Sequence, residues 1–320
     1  MSARARVHLV VAAAAIAAAG LAVGVTLATR TPTPVVHKPK GVPPLSLDFG
    51  VRTDAQAGAL ERAARLYDAG KCAEAGAIFA RYSSLEAQVG AALASWPKGS
   101  VHALDGLSRE HPKSALVQLN LGLARLWDGD GAGATAAFRT AARVEPNTFY
   151  AVQADTLLHP RFYKGLPPFI PREPAPAALR KLAPPQQLAA LARLAGSGSV
   201  RYRLLYGATL QGLGRPVSAE RQFSLAAQAA PDDAEAQTAA AVGRFSKSNP
   251  AAAFSRLGPL SKRFPQAATV RFHLGELLVW MAQVAEAKKQ FRLAAKLDPR
   301  GTIGVEAKRF LAGLANVGTK

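Results

Sequence analysis

Apolar and small residues recur at a fixed interval along most of this chain. A bulky Phe or Leu marks one position of the interval, and a Gly, Ala or Gln lies sixteen residues before it. A proline follows eight residues after each bulky residue, and these prolines form two ladders with steps of 34 residues, Pro112 to Pro146 and Pro231 to Pro265 to Pro299. A 34-residue period predicts stacked pairs of antiparallel helices, and therefore an all-α chain.

Each position of the period has a physical reason. Small residues are needed where two antiparallel helices approach to about 8–10 Å, and the bulky residue fills the seam between one pair and the next. The proline ends the second helix, because its ring clashes with the preceding turn. The bulky positions are Leu104, Phe138, Phe223, Leu257 and Phe291, and the smaller ones are Gln88, Gly122, Gly207, Ala241 and Gly275.

This pattern resembles the tetratricopeptide repeat. The resemblance is close in residues 115–148, 200–233 and 268–301 and looser in residues 78–111 and 234–267. It implies an α-solenoid, in which each helix pair buries its apolar face against the neighbouring pair and not in one central core.

The sequences before the first proline ladder and after the second one also fit helix pairs. Residues 54–87 carry the spacings of the better repeats, and Asp54 is a suitable N-cap for the first helix. Residues 302–315 carry apolar residues at helical spacing with charges between them, which is typical of a C-terminal capping helix. We therefore expect one TPR-like α-solenoid over residues 54–320.

The N-terminus predicts a membrane segment. Val7 to Thr29 form a run without Asp, Glu, Lys or Arg, and a helix of about 34 Å would cross a bilayer core of about 30 Å. Residues 1–30 are thus expected to be a single-pass transmembrane anchor, with a cleaved signal peptide as the alternative. Residues 31–53 are rich in proline and read as an extended spacer. We expect the repeats to be extracytoplasmic, although basic residues flank the run on both sides.

An insertion interrupts the solenoid at about residues 159–184. It holds seven prolines, so it cannot be a continuous helix, and residues 148–158 and 185–195 are expected to pair around it. The aromatic residues Phe162, Tyr163 and Phe169 predict an ordered excursion that packs on the solenoid, across its groove near Leu123, Leu205 and Phe245. The alternative is a linker that is packed only at its ends.

Composition and motifs indicate no catalysis. The chain has a net charge of +19, which favours anionic partners, and one cysteine, Cys72, which can form no internal disulfide. His273 and Glu276 are three residues apart on a predicted helix, but a two-ligand pair is weak evidence for a metal. We expect no catalytic residue, no metal and no cofactor, and hence no enzyme.

The resemblance implies that the first helices of successive repeats line a concave groove that takes extended peptides or helices of partners. The alternative is that these side chains pack within their own repeats. Chaperone-binding members of the family hold a carboxylate there with Lys, Asn and Arg, which this chain lacks apart from Asn120 and Arg201. The register places in the groove Leu119, Asn120, Leu123, Arg201, Leu205, Gln211, Thr238, Phe245, Phe272, His273 and Glu276.

Two functions follow from these observations. The first is a membrane-tethered scaffold of the cell envelope, which binds a protein or peptide partner through an apolar groove. The second is a basic solenoid that binds an anionic polymer, either a cell-wall polymer or nucleic acid. We favour the scaffold, because the chain lacks the aromatic stacking platform of single-stranded nucleic-acid binders. The sequence predicts neither the identity of the partner nor the oligomeric state.

Overall fold

The computed structural model describes residues 39–315, and this part of the chain contains sixteen α-helices and no strand. Contacts between residues divide it into two compact units, which meet in sequence between Pro160 and Arg161. Each unit is an array of antiparallel helix pairs, as the 34-residue period predicts. The all-α part of the predicted fold class, built of antiparallel helix pairs, is therefore confirmed for the described residues.

The first unit contains seven helices. They are α1 Ala55–Asp68, α2 Cys72–Phe79, α3 Leu85–Ala94, α4 Ser100–Glu110, α5 Ala115–Asp128, α6 Gly131–Val144 and α7 Phe149–Leu158. The odd-numbered helices form a row in which α1 contacts α3, α3 contacts α5 and α5 contacts α7. We call this row the first-helix face of the first unit.

The second unit contains nine helices. They are α8 Ala177–Arg180, α9 Pro184–Gly196, α10 Val200–Gly212, α11 Pro216–Ala229, α12 Ala234–Val242, α13 Ala251–Arg263, α14 Ala268–Trp280, α15 Val284–Leu297 and α16 Thr302–Gly313. Its first-helix face is the row α10, α12, α14 and α16, in which each helix contacts the next. The capping helix α16 lies where the sequence predicts it and buries Ile303, Ala307 and Phe310.

Local sequence explains where the helices begin and end. Asp54 caps α1 by accepting a hydrogen bond from the Ala57 amide at 2.9 Å, as predicted, and Ser114 and Asp233 cap α5 and α12 in the same way. All five ladder prolines stand two residues after the end of a second helix. The helices stop there because proline removes the amide donor and excludes the α conformation of the residue before it.

In three of the pairs the glycine of the ladder sits against the bulky residue of the same pair. A Cβ atom on Gly275 would lie 3.0 Å from the Phe291 ring, and one on Gly122 or Gly207 would collide with Phe138 or Phe223. Phe223 and Phe291 are fully buried. The glycine positions of the ladder therefore set how closely the two helices of a pair approach.

One expectation needs correction at the boundary between the units. Residues 148–158 and 185–195 belong to different units and do not form one helix pair: α7 packs on α5 and α6 in the first unit, whereas α9 packs on α8 and α10 in the second. The residues left over from the 34-residue count thus supply one helix to each unit, α7 to the first and α9 to the second.

The predicted transmembrane run from Val7 to Thr29 lies outside the described residues. Within residues 39–315, no helix is both long enough and apolar enough to cross a membrane. The described part of the predicted spacer is extended but not detached, since Pro43 and Phe49 are buried against the first unit.

Candidate functional site

An extended segment of the chain lies on the first-helix face of the first unit. The Tyr67 hydroxyl of α1 donates to the Pro43 carbonyl at 2.7 Å. Asn120 of α5 accepts from the Ser46 amide at 3.0 Å and donates to the Ser46 carbonyl at 2.9 Å. The Tyr150 hydroxyl of α7 accepts from the Asp48 amide at 2.9 Å. Three first helices thus hold one short stretch of backbone.

Asn120 carries the central contact. Its side chain is fully buried, and its Nδ2 also donates to the Leu116 carbonyl at 2.9 Å, which fixes the orientation of the amide group. Pairing with both the N–H and the C=O of one residue recognises extended backbone and imposes no demand on the Ser46 side chain.

A second extended segment lies on the first-helix face of the second unit. Gln211 of α10 donates its Nε2 to the Pro167 carbonyl at 2.8 Å and accepts from the Phe169 amide at 2.7 Å. His273 of α14 accepts from the Ile170 amide through Nε2 at 3.0 Å. Glu235 of α12 accepts from the Arg172 amide at 2.6 Å. The insertion predicted at about residues 159–184 therefore contains a segment bound to the helices.

Aromatic side chains hold the same segment. The Phe169 ring is 2% exposed, stacks on His273 with centroids 5.0 Å apart and meets the edge of Phe223 at 5.2 Å. Tyr163 packs edge-on against Trp280 at 5.1 Å. The linker alternative, packed only at its ends, does not describe residues 163–172, because their middle is the most deeply buried part.

His273 is neutral in this arrangement. Burial lowers the pKa of His273 to about 4, although the hydrogen bond to the Thr269 carbonyl, 2.8 Å from Nδ1, acts in the opposite direction. The Nδ1–H donates to that carbonyl, so Nε2 carries the lone pair that receives the Ile170 amide. A protonated ring could not accept this hydrogen bond.

Glu276, one turn beyond His273, is a buried carboxyl group. Both of its carboxyl oxygens lack a hydrogen-bond partner among the described residues. Burial raises the pKa of Glu276 well above its ordinary value, and the nearby Glu306 acts in the same direction. The described residues form no cluster of three or more His, Cys, Asp or Glu that could hold a metal ion.

A cleft of about 250 Å³ adjoins the place where the segment leaves the helices. Two predicted groove residues, Arg201 and Leu205, line it, and the Arg201 guanidinium pairs with Glu173 at 3.0 Å. Its walls combine apolar and charged side chains, namely Pro171, Val200, Leu204, Arg172, Glu173, Asp233 and Glu235.

The predicted groove residues fall into two groups. Asn120, Gln211 and His273 contact the bound segments, and Arg201 contacts the end of the second one. The others are buried, namely Leu119, Leu123, Leu205, Thr238, Phe245, Phe272 and Glu276, although Leu205 also lines the cleft. Thr238, for example, donates its hydroxyl to the Ala234 carbonyl of its own helix at 2.6 Å. Of the insertion residues, Phe169 is buried and Phe162 and Tyr163 are half-buried.

The sequence analysis did not predict the contact of Tyr67, the hydrogen bond of Tyr150 to Asp48 or the bound segment at residues 43–48. Tyr67 and Tyr150 could have been found from the repeat register, because they occupy the same repeat positions as two residues that hold the second segment. Tyr67 lies 12 residues before Phe79, as Gln211 lies 12 before Phe223, and Tyr150 and Glu235 are both the second residue of their helix.

Comparison with known proteins adds little to this geometry. No protein-family model and no curated protein matches the chain. Among solved structures, it is similar to a tetratricopeptide repeat protein from Parabacteroides merdae, with 14% sequence identity and a TM-score of 0.32 over 80% of this chain and 98% of that chain. The class defined here, an all-helical protein of TPR-like helix pairs, rests on the helix pairs themselves and on their 34-residue spacing.

Proposed function

We propose that this protein is a non-catalytic, membrane-tethered scaffold that binds a partner protein through the first-helix faces of its TPR-like helix pairs. One observation supports this most: on both faces, side chains from three separate first helices hold an extended stretch of backbone. A surface of this kind recognises extended peptides through main-chain hydrogen bonds and selects them through side-chain pockets.

The membrane tether and the envelope location are part of this proposal. They rest on the apolar run from Val7 to Thr29. In this proposal the repeats lie on the extracytoplasmic side, and the protein binds its partner without catalysing a reaction. Protease added to intact spheroplasts should digest the helical units, and deletion of residues 1–30 should release the protein from the membrane fraction. Protection from the protease would reverse the orientation, and a soluble mature chain beginning near Thr29 would replace the anchor by a cleaved signal.

Binding of a partner is tested by site-directed crosslinking in cells. A photocrosslinking residue at Arg201, at the edge of the cleft, should give a discrete adduct with an envelope protein, whereas the same residue at exposed Leu293 of α15 should not. Equal crosslinking at both positions would contradict a binding role for the first-helix face.

The net charge of +19 favours one alternative, the binding of an anionic polymer. Salt separates the two functions, since binding to a polyanion falls steeply with ionic strength and recognition through backbone hydrogen bonds and apolar pockets does not. The same crosslinking repeated on isolated membranes separates them: adduct formation that persists between about 50 mM and 500 mM salt supports the scaffold, because the Debye length shrinks severalfold over that range.

A further inference from the structure

The two bound segments are copies of one sequence motif. Residues 40–45 read Lys-Gly-Val-Pro-Pro-Leu and residues 164–169 read Lys-Gly-Leu-Pro-Pro-Phe. Four of the six positions are identical, and the other two are apolar in both copies. Corresponding residues are 124 apart, since Pro43 corresponds to Pro167 and Ser46 to Ile170.

The two copies also share a glycine in the left-handed region. Gly41 has φ +83° and Gly165 has φ +75°, and a Cβ atom added to either would meet nothing within 4 Å. Glycine is required there by the left-handed backbone and not by lack of space. The first proline of each copy is buried, and the lysine before the glycine is exposed in both.

The receptors correspond in the same way. The carbonyl of the first proline accepts from Tyr67 in one unit and from Gln211 in the other, and both side chains belong to the first row helix of their unit. The amide three residues later donates to Asn120 or to His273. Both of these belong to the third row helix, and each lies 18 residues before the bulky Phe of its own repeat, Phe138 or Phe291.

A third contact follows in both units, two residues after Ser46 and Ile170. Asp48 and Arg172, also 124 apart, each donate their backbone amide to the second residue of a first helix, Tyr150 or Glu235. Here the two units differ, because Tyr150 belongs to the fourth helix of its row and Glu235 to the second. The ligand motif and the receptor positions thus agree independently at the proline carbonyl and at the amide three residues on.

The motif suits such a receptor chemically. Proline has no amide donor, so the adjacent prolines leave no main-chain N–H to be satisfied, and they restrict the unbound segment to extended conformations. The apolar residue that follows supplies the anchor, which is Phe169 in the second unit and the half-buried Leu45 in the first.

From these agreements, and on the basis of the proposed function, we infer the class of partner. Each unit is a receptor for an extended segment of the type Gly-apolar-Pro-Pro-apolar. The two copies in this chain are resident ligands, and a partner protein binds by presenting the same motif and displacing one of them. The second copy is the one to open, because it lies in a connection between helices and its end adjoins the cleft at Arg201.

A labelled peptide tests this inference on the full-length chain. The peptide covers residues 161–174 and carries a fluorophore at its N-terminus; the opened chain has residues 165–172 replaced by a Gly/Ser sequence of equal length. Fluorescence anisotropy should show saturable binding to the opened chain, at least tenfold tighter than to the unmodified chain. The substitutions Gln211→Ala and His273→Ala in the opened chain should weaken binding at least tenfold, and Gln186→Ala, at an exposed position of α9, should not.

Specificity has its own control. A peptide with Gly165→Val and Phe169→Ala lacks the left-handed residue and the anchor, and should bind the opened chain at least tenfold more weakly. Equal binding of both peptides, or no binding to an opened chain that keeps its helix content by circular dichroism, would overturn the inference.

A motif exchange covers the case in which the opened chain fails to fold. Residues 165–172 are replaced by the first copy, Gly-Val-Pro-Pro-Leu-Ser-Leu-Asp, without a change in length. The exchanged chain should keep its helix content and should resist protease at residues 161–176 at least tenfold better than the Gly/Ser variant. Equal cleavage of the two variants would show that the units do not recognise the motif. These outcomes concern the ligand alone, so they leave crosslinking at Arg201 as the separate test of partner binding.

Discussion

His273 is one of the side chains that hold the second segment, and it makes its own contact sensitive to acid. The ordinary pKa of histidine is about 6.5, and burial lowers that of His273 to about 4. Between these values the unfolded chain binds a proton that the folded chain does not, so this group costs stability as the pH falls from about 6.5 to about 4. Above about pH 6.5 the imidazole is neutral in both the folded and the unfolded chain, so this loss of stability is absent.

His273→Asn places at this position the residue that Asn120 provides in the first unit. An asparagine can accept the Ile170 amide and does not titrate. We therefore expect the unmodified chain to lose stability relative to this variant as the pH falls through that window, as measured by urea unfolding at several pH values. An unchanged difference between the two proteins from pH 7 to pH 4 would show that His273 is not buried in its neutral form.

Glu276 predicts the opposite dependence. Burial raises its pKa, so the folded chain retains a proton that the unfolded chain loses above the ordinary carboxyl pKa of about 4.3. The unmodified chain should therefore lose stability relative to Glu276→Gln as the pH rises from about 4 towards neutrality. Urea unfolding of the two proteins measures this, and a constant difference would mean that the carboxyl group is solvated.

Close contact between the helices of a pair predicts a third effect. Gly207→Ala forces a methyl group into the Phe223 ring, and overpacking of this kind typically costs about 1–3 kcal/mol. Gly106→Ala, in α4, meets nothing within 4 Å and should stabilise by up to about 1 kcal/mol through helix propensity. Thermal unfolding midpoints of both variants should shift in opposite directions, and a shift in the same direction would contradict the packing.

At the scale of elements, Gln211 connects α10 to the second segment. Gln211→Glu keeps the acceptor for the Phe169 amide but loses the donor to the Pro167 carbonyl and adds a charge beside it. The loss of one hydrogen bond is worth roughly 0.5–1.5 kcal/mol, so protease should cleave residues 161–176 severalfold faster. Gln186→Glu is the matched control on the exposed side of α9 and should leave cleavage unchanged; equal effects of both substitutions would refute the contact.

The helices were predictable because each has a periodic local signal. Prolines after the second helices, glycines beneath the aromatic rings and the Asp54 cap all act within one repeat, so the sequence displays them directly. The predicted pairing of residues 148–158 with 185–195 is wrong. The 34-residue spacing shows that half a repeat is left over, but it does not show that α7 and α9 belong to different units.

The bound segments were only partly predictable. The aromatics of the insertion predicted an ordered excursion, but its partners are residues 42 to 103 positions away along the chain. For the equivalent segment at residues 43–48, the prolines predict only a spacer. Composition does not distinguish an extended chain that is detached from one that is bound to the helices. The shared motif becomes informative only when the repeat positions that receive it are compared.

At the scale of the whole molecule, each of the two units combines a row of first helices with its own extended ligand. The same repeat positions provide the hydrogen bonds in both, although the residues differ, with Tyr67 and Asn120 in one and Gln211 and His273 in the other. Different side chains therefore bind the same backbone groups in the two units, namely the carbonyl of the first proline and the amide three residues later. This is the property that a scaffold for extended partner segments requires.

Hydrogen exchange of single backbone amides tests this account most directly. In the full-length chain, the amides of Ser46, Asp48, Phe169, Ile170 and Arg172 should exchange at least tenfold more slowly than in synthetic peptides of residues 39–50 and 160–176. Each donates to a side chain of a first helix, so protection of all five reports both segments in place. Exchange at the rates of the free peptides would contradict the central claim that both first-helix faces bind extended segments.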